Sequence, residues 1–257
     1  MERLGCAWVA AVWACAGCVP SGSAPPSDAG PPASPTVARP LPTVAMPSPD
    51  VMKSPFEDDF GPTAAATPGD GPVEPSSEWI PTAPGIWHIE GGQLCGEHAK
   101  NHGIWLKRTL PTNARIEFDA ASQSPDGDLK AELWGDGRSY ATALSYTNAT
   151  SYLTIFGGWH NKFHVLARIN EHGTDRKEIT VDPKSDDPRE KPVVPGQIYH
   201  FKVERTDGKT LRWWIDGNEM LTFADPAPLT GVGHDHFGFN DWDVKVCFDN
   251  VRVTPLP

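Results

Sequence analysis

Basic residues are scarce in this 257-residue sequence: 22 Lys and Arg stand against 33 Asp and Glu, a formal net charge of −11. Such a balance offers no electrostatic footprint for a phosphate backbone, which excludes nucleic acid as a partner. Helical periodicity is missing as well, so the apolar pattern leaves an all-β architecture. No apolar run can span a bilayer: residues 4–16 are too few, and with Arg3 before them they fit the h-region of an export signal. Tyrosine is sparse, four against ten Trp. Indoles beyond the needs of a core serve as stacking platforms for sugar rings, although any single Trp is more often a core residue.

Cysteine is limited to five residues. Cys6, Cys15 and Cys18 fall in the signal region, where Cys15-Ala16-Gly17-Cys18 resembles a bacterial lipobox with Cys18 as the lipidated residue. Cys15 stands where that pattern usually has Leu, and ordinary secretion is the alternative. Val19 rather than Asp after the Cys resembles a sorting signal for the outer membrane. Residues 19–53, rich in Pro, Ala and Ser, cannot bury enough surface to fold and read as a disordered tether. Residues 54–257 form the folded domain. Its two cysteines, Cys95 and Cys247, suit an oxidising compartment and lie on the outward parity of their strands, which predicts a disulfide between them; two buried free thiols are the alternative.

Short strands separated by turn residues recur through the domain. Residues 85–96 read as two strands joined at Gly91-Gly92, and 103–110 and 114–120 are split by Pro111-Thr112-Asn113. Strands are expected at 140–146 and 151–156, then at 199–205, 210–215 and 219–224 around the tight turns Asp207-Gly208 and Asp216-Gly217, and finally at 244–253. This is the pattern of a two-sheet antiparallel sandwich.

One strand is chemically loaded. In residues 127–136 the alternation sets Leu129, Ala131 and Leu133 on a core face and Asp128, Lys130, Glu132 and Trp134 on the other. Residues 163–172 repeat the pattern, with Phe163, Val165, Ala167 and Ile169 inward and His164, Arg168 and Asn170 outward, followed by Glu171 and His172. Arg168 is placed to pair with Glu132 or to grip a ligand bidentately. Between the strands, Gly157-Gly158-Trp159-His160-Asn161 offers close backbone approach, stacking and hydrogen bonding. If these strands share a sheet, their polar faces line one groove. Asp128 and Glu132 are about 13 Å apart by strand rise, too far for a two-carboxylate hydrolysis. Glu132 or His172 could act only with a neighbouring strand, and an internally neutralised strand face is the bland alternative.

The segments Trp87-x-Ile89-x-Gly91-Gly92-x-Leu94, Leu211-Arg212-Trp213-Trp214-Ile215-Asp216-Gly217, Phe237-Gly238-Phe239 and Phe248-Asp249-Asn250-Val251-Arg252-Val253 resemble the concanavalin A-like lectin/glucanase superfamily, in particular its 3-keto-disaccharide hydrolase-like and laminarin-binding-like domains. The resemblance implies a jelly roll in which the first and last strands share a sheet, bringing Cys95 near Cys247. It also implies a structural calcium on the convex side as an option, for which Asp59 and Asp249 are the candidates. The glucanase motif E-x-D-x-x-E is nearest matched by Glu117-Phe118-Asp119-Ala120-Ala121-Ser122, where Ser122 replaces the acid/base. His234-Asp235-His236 lacks further metal ligands and reads as a solvent loop. The expectation is an exported lipoprotein of the cell envelope, monomeric and needing no cofactor, whose jelly roll binds an oligo- or polysaccharide in a concave groove. An active glycoside hydrolase or lyase is the competing class, and a non-catalytic envelope or adhesion module the third.

Overall fold

The computed structural model describes residues 50–61 and 73–257. The export signal, Cys18 and nearly all of the tether lie outside those residues. The described chain joins the fold from Val51, which bridges Thr109.

Two antiparallel sheets account for the domain. The first holds β1 (Phe56–Asp58), β3 (Trp87–Glu90), β4 (Gln93–Gly96), β6 (Ala114–Ser122), β11 (Tyr199–Arg205), β12 (Thr210–Ile215), β13 (Asn218–Ala224) and β15 (Val246–Pro255). Its order is β13-β12-β11-β6-β15-β4-β3, with β1 also paired to β15. The second holds β2 (Trp79–Pro81), β5 (Ile104–Leu106), β7 (Leu129–Gly135), β8 (Tyr152–Gly157), β9 (Phe163–Arg168), β10 (Lys177–Thr180) and β14 (His236–Asn240), in the order β10-β9-β8-β7-β14-β5-β2. Residues 140–146, expected as a strand, are instead part of a loop. Its entry is fixed by Asp136, whose carboxylate accepts from the Arg138 and Ser139 N–H groups and the Ser139 hydroxyl.

Alternation builds the core between the sheets. Phe118 of β6 stacks on Phe201 of β11 at 4.7 Å and meets Phe239 of β14 edge-on at 5.0 Å, so one ring ties both layers. Each such fully buried side chain contributes roughly 1.5–3 kcal/mol. Leu129, Ala131 and Leu133 of β7 point into this core, as their parity predicts. Cys95 and Cys247 face each other across β4 and β15 and are disulfide-bonded, on the side of the sheet opposite Leu94, Val246 and Phe248.

A second apolar cluster covers the outer face of the other sheet. Ala141, Tyr146 and Ala149 from the loop lie on Leu153 and Ile155 of β8 and Val165 and Ala167 of β9. This cover inverts the expected parity of β9. Leu166 enters the inter-sheet core, Val165 and Ala167 face outward beneath the loop, and His164 is buried against Phe156 with its ring stacked at 4.2 Å. Burial lowers the His164 pKa to about 4, and its Nδ1 accepts the Gly157 N–H. A strand apolar on both faces has no sequence signal for which face is outside.

Candidate functional site

A cavity of about 670 Å³ opens beside that loop, on the outer face of the second sheet. Lys130 forms its floor and is almost fully buried. Its ammonium lies 3.4 Å from Asp128, 3.5 Å from Glu171 and 3.1 Å from the Asn101 carbonyl oxygen Oδ1. Burial works against the charged amine, but the Asp128, Glu171 and Asp241 carboxylates outweigh it and hold the pKa above the ordinary lysine value. Asp128 also accepts the Trp242 N–H, and Glu171 the Tyr146 N–H. Asp241 lies behind the floor, accepting the Ala99 and Val244 N–H groups; burial, reinforced by the Asp128 charge, pushes its pKa up to about 7.

Two indoles, Trp159 and Trp242, line the cavity. Trp159 and His160 come from the β8–β9 turn, where Trp159, His160 and Asn161 take φ values of 53, 58 and 59°. Three successive non-glycine residues in the left-handed region cost roughly 1–2 kcal/mol each. The turn persists because Asn161 clamps it: its amide donates to the Pro125 and Val193 carbonyls, and its Oδ1 accepts the Val193 N–H. The paired glycines are packed against protein: a Cβ on Gly157 would sit 2.6 Å from the Val193 side chain and one on Gly158 2.7 Å from that of Ile155. Trp159 meets the His172 ring edge-on at 5.4 Å. Trp242, the second indole, follows β14.

Of the residues singled out from the sequence, Asp128, Lys130, Trp159, His160, Glu171 and His172 line the cavity. The others do not. Glu132 lies fully buried beneath Tyr146, accepting from the Tyr146 hydroxyl at 3.0 Å, Ser151 at 2.7 Å and Asn240 at 2.7 Å. Trp134 turns into the core because β7 bulges there: Leu133 pairs with Phe237 and Gly135 with His236, and Trp134 takes a φ of 53°. Its indole donates to the Pro111 carbonyl and carries the Arg205 guanidinium over its face at 3.9 Å. Arg168 does not reach Glu132; on the opposite face of the sheet it bonds Asp225 at 2.8 Å. Asn170 caps a local turn by accepting the His172 N–H. Asn101 and Trp242 were missed by sequence reasoning. No periodic signal marks Asn101, and Trp242 lies in a short segment between two strands.

Asp59 and Asp249 are near enough for their charges to act on one another. Each already accepts a backbone N–H, from Gly61 and Asn250. Among the described residues no group of three His, Cys, Asp or Glu side chains converges to hold a metal ion. Glu117 and Asp119 belong to the outer face of β6, where Asp119 binds His200 and Asn250.

The buried acid has a measurable consequence. Burial pushes the Glu132 pKa up to about 7, against three hydrogen bonds that favour the ionised form. A carboxyl whose folded pKa is raised contributes stability that is complete below its unfolded pKa and is lost as pH rises through the folded one. Unfolding stability is therefore expected to fall between about pH 5 and about pH 8, by on the order of 1–3 kcal/mol from this group. Denaturant titrations of Glu132→Gln should show a flatter profile, since glutamine accepts from Asn240 and donates to Ser151 without charge. An unchanged pH slope in the variant would refute the assignment.

No protein-family model and no curated protein sequence matches the chain. Solved structures do resemble it. A carbohydrate-binding module, CBM66 from Bacillus subtilis, aligns with a TM-score of 0.50 at 17% identity, over 69% of this chain and 95% of that one. A native glycosidic hydrolase aligns at 0.51 and 10% identity, over 80% and 97%. A structure from work on endo-acting O-glycanases of the human gut microbiota, which initiate mucin breakdown, aligns at 0.50 and 15%, over 79% and 99%. Identities this low speak to fold alone. Two antiparallel sheets packed face to face, together with these likenesses, show that the chain has a jelly-roll sandwich fold.

Proposed function

We propose that this protein binds carbohydrate in the cavity between Trp159 and Trp242, on an exported chain anchored to the cell envelope through Cys18. The observation that carries the reading is a cavity of sugar-sized volume lined by two indoles and by the polar groups of Lys130, Asn101, Asp128 and Glu171. Indoles supply apolar faces for pyranose rings, and fixed polar groups between them orient hydroxyls. The likeness to a carbohydrate-binding module supports the ligand class. The Cys95–Cys247 disulfide supports export, because such bonds persist outside the reducing cytosol.

Glycoside hydrolysis is the second reading, and one observation keeps it in view. Asp128 and Glu171 come close together around Lys130, as Asp128 and Glu132 on a single strand could not. The ammonium, however, fills the gap between the acids where a scissile bond would need to lie, which favours binding over cleavage. A glycan array on the full chain, run beside a reducing-sugar release assay, separates the readings. We expect binding without release, weakened about tenfold by Trp159→Ala and by Trp242→Ala. Release abolished by Asp128→Asn would establish the hydrolase, and silence in both assays an adhesion or envelope module.

A further inference from the structure

We propose that the cavity selects glycans bearing free amino groups and turns away those bearing carboxylates, an inference that rests on the carbohydrate-binding reading above. Glu97, Asp126, Asp128, Glu171 and Asp243 line the cavity against two ammonium groups, Lys130 and Lys245. Neither ammonium is at liberty to receive an anion. Lys130 is enclosed by Asp128, Glu171 and Asn101, and Lys245 turns to Glu90, outside the lining, at 2.7 Å. The two lining histidines also face protein carboxylates, His160 lying 3.0 Å from Asp126 and His172 3.4 Å from Glu171. A uronate entering this wall would meet net negative potential and no uncommitted cation, whereas an ammonium is drawn in.

A second observation, independent of the charges, concerns Asn101. Asn101 is 1% exposed and gives its Oδ1 to Lys130, while its amide nitrogen has no hydrogen-bond acceptor. A buried donor left unpaired costs roughly 1–3 kcal/mol, so this neutral N–H calls for an acceptor such as a sugar hydroxyl. Two further cations lie near the cavity: Lys100, paired with Asp243, sits over the Trp242 ring at 4.6 Å, and the Arg176 guanidinium, paired with Glu178, over Trp159 at 4.9 Å. An occupant with hydroxyls for Asn101, ring faces for the indoles and ammonium groups for the carboxylates is an amino-sugar oligomer.

The test is calorimetric titration of the full chain at mildly acidic pH with four probes: a glucosamine oligomer, its N-acetylated counterpart, a uronic-acid oligomer of equal length, and a linear polyamine of matched charge. The glucosamine oligomer is expected to bind at least about tenfold more tightly than the acetylated one, with the advantage shrinking as salt rises to about 0.15 M, where screening acts within about 8 Å. The uronate is expected not to bind. Glu97→Gln combined with Asp126→Asn should narrow the preference severalfold; both side chains are 49% exposed, so the fold tolerates the change. Equal affinity for free and acetylated oligomers, or tighter binding of the uronate, would overturn charge selection and leave carbohydrate binding standing. A polyamine bound as tightly as the glucosamine oligomer would overturn it in favour of bare ammonium attraction. If no probe and no neutral glycan binds, both readings fall.

Discussion

Replacing Lys130 by Met is expected to destabilise the fold by about 3–5 kcal/mol at neutral pH, the usual result of stripping one partner from a buried ionic cluster. The side chain is 5% exposed, and its ammonium is the common neighbour of Asp128 and Glu171, with Asp241 close enough to add to the field. Methionine fills the volume but leaves those acids facing one another and Asn101 without its donor. Adding Asp128→Asn to the Lys130→Met variant should recover part of the loss. Urea denaturation of the parent and both variants at neutral pH checks the expectation. A Lys130→Met variant as stable as the parent at neutral pH would mean that the cluster is solvated rather than buried.

Removing the disulfide is expected to be of similar size. Cys95 and Cys247 are 152 residues apart in sequence, so the bond closes most of the folded domain into one loop. Chain entropy for a loop of that length corresponds to about 5 kcal/mol of stabilisation. The bond also fastens β4 to β15, and β3 pairs with the sheet through β4 alone, so the edge strands should loosen first. Both cysteines are buried, which makes alanine the least disruptive replacement. The double Cys95→Ala, Cys247→Ala variant should unfold at markedly lower denaturant concentration. Reductant should shift the parent protein towards the variant and leave the variant unchanged. An equal reductant effect on both proteins would contradict this account.

The legible parts of the sequence were those in which local chemistry and tertiary position agree. Period-two alternation in β7 placed Leu129, Ala131 and Leu133 in the core, because one face of the strand is polar and the other is not. The hairpin turns at Asp207-Gly208 and Asp216-Gly217 separate β11, β12 and β13 as their dipeptides require. Cysteine parity led to the pairing found across β4 and β15. The same logic failed wherever both faces of a strand were covered. In β9, a loop laid Tyr146 over Val165 and Ala167, and alternation alone could not tell the inner apolar row from the outer one.

For the loaded strand, the sequence by itself determined that residues 128–132 present Asp, Lys and Glu in a row opposite a hydrophobic face, since side-chain direction along a strand is local geometry. It also determined the acidic balance, a formal net charge of −11, which offers no electrostatic footprint for a phosphate backbone. Tertiary structure decided how that row is used. A bulge turned Trp134 into the core, Tyr146 sealed Glu132 beneath the surface, and a turn after β9 brought Glu171 to Lys130 in Glu132's stead. Those outcomes depend on contacts between residues distant in the chain, which no local pattern encodes.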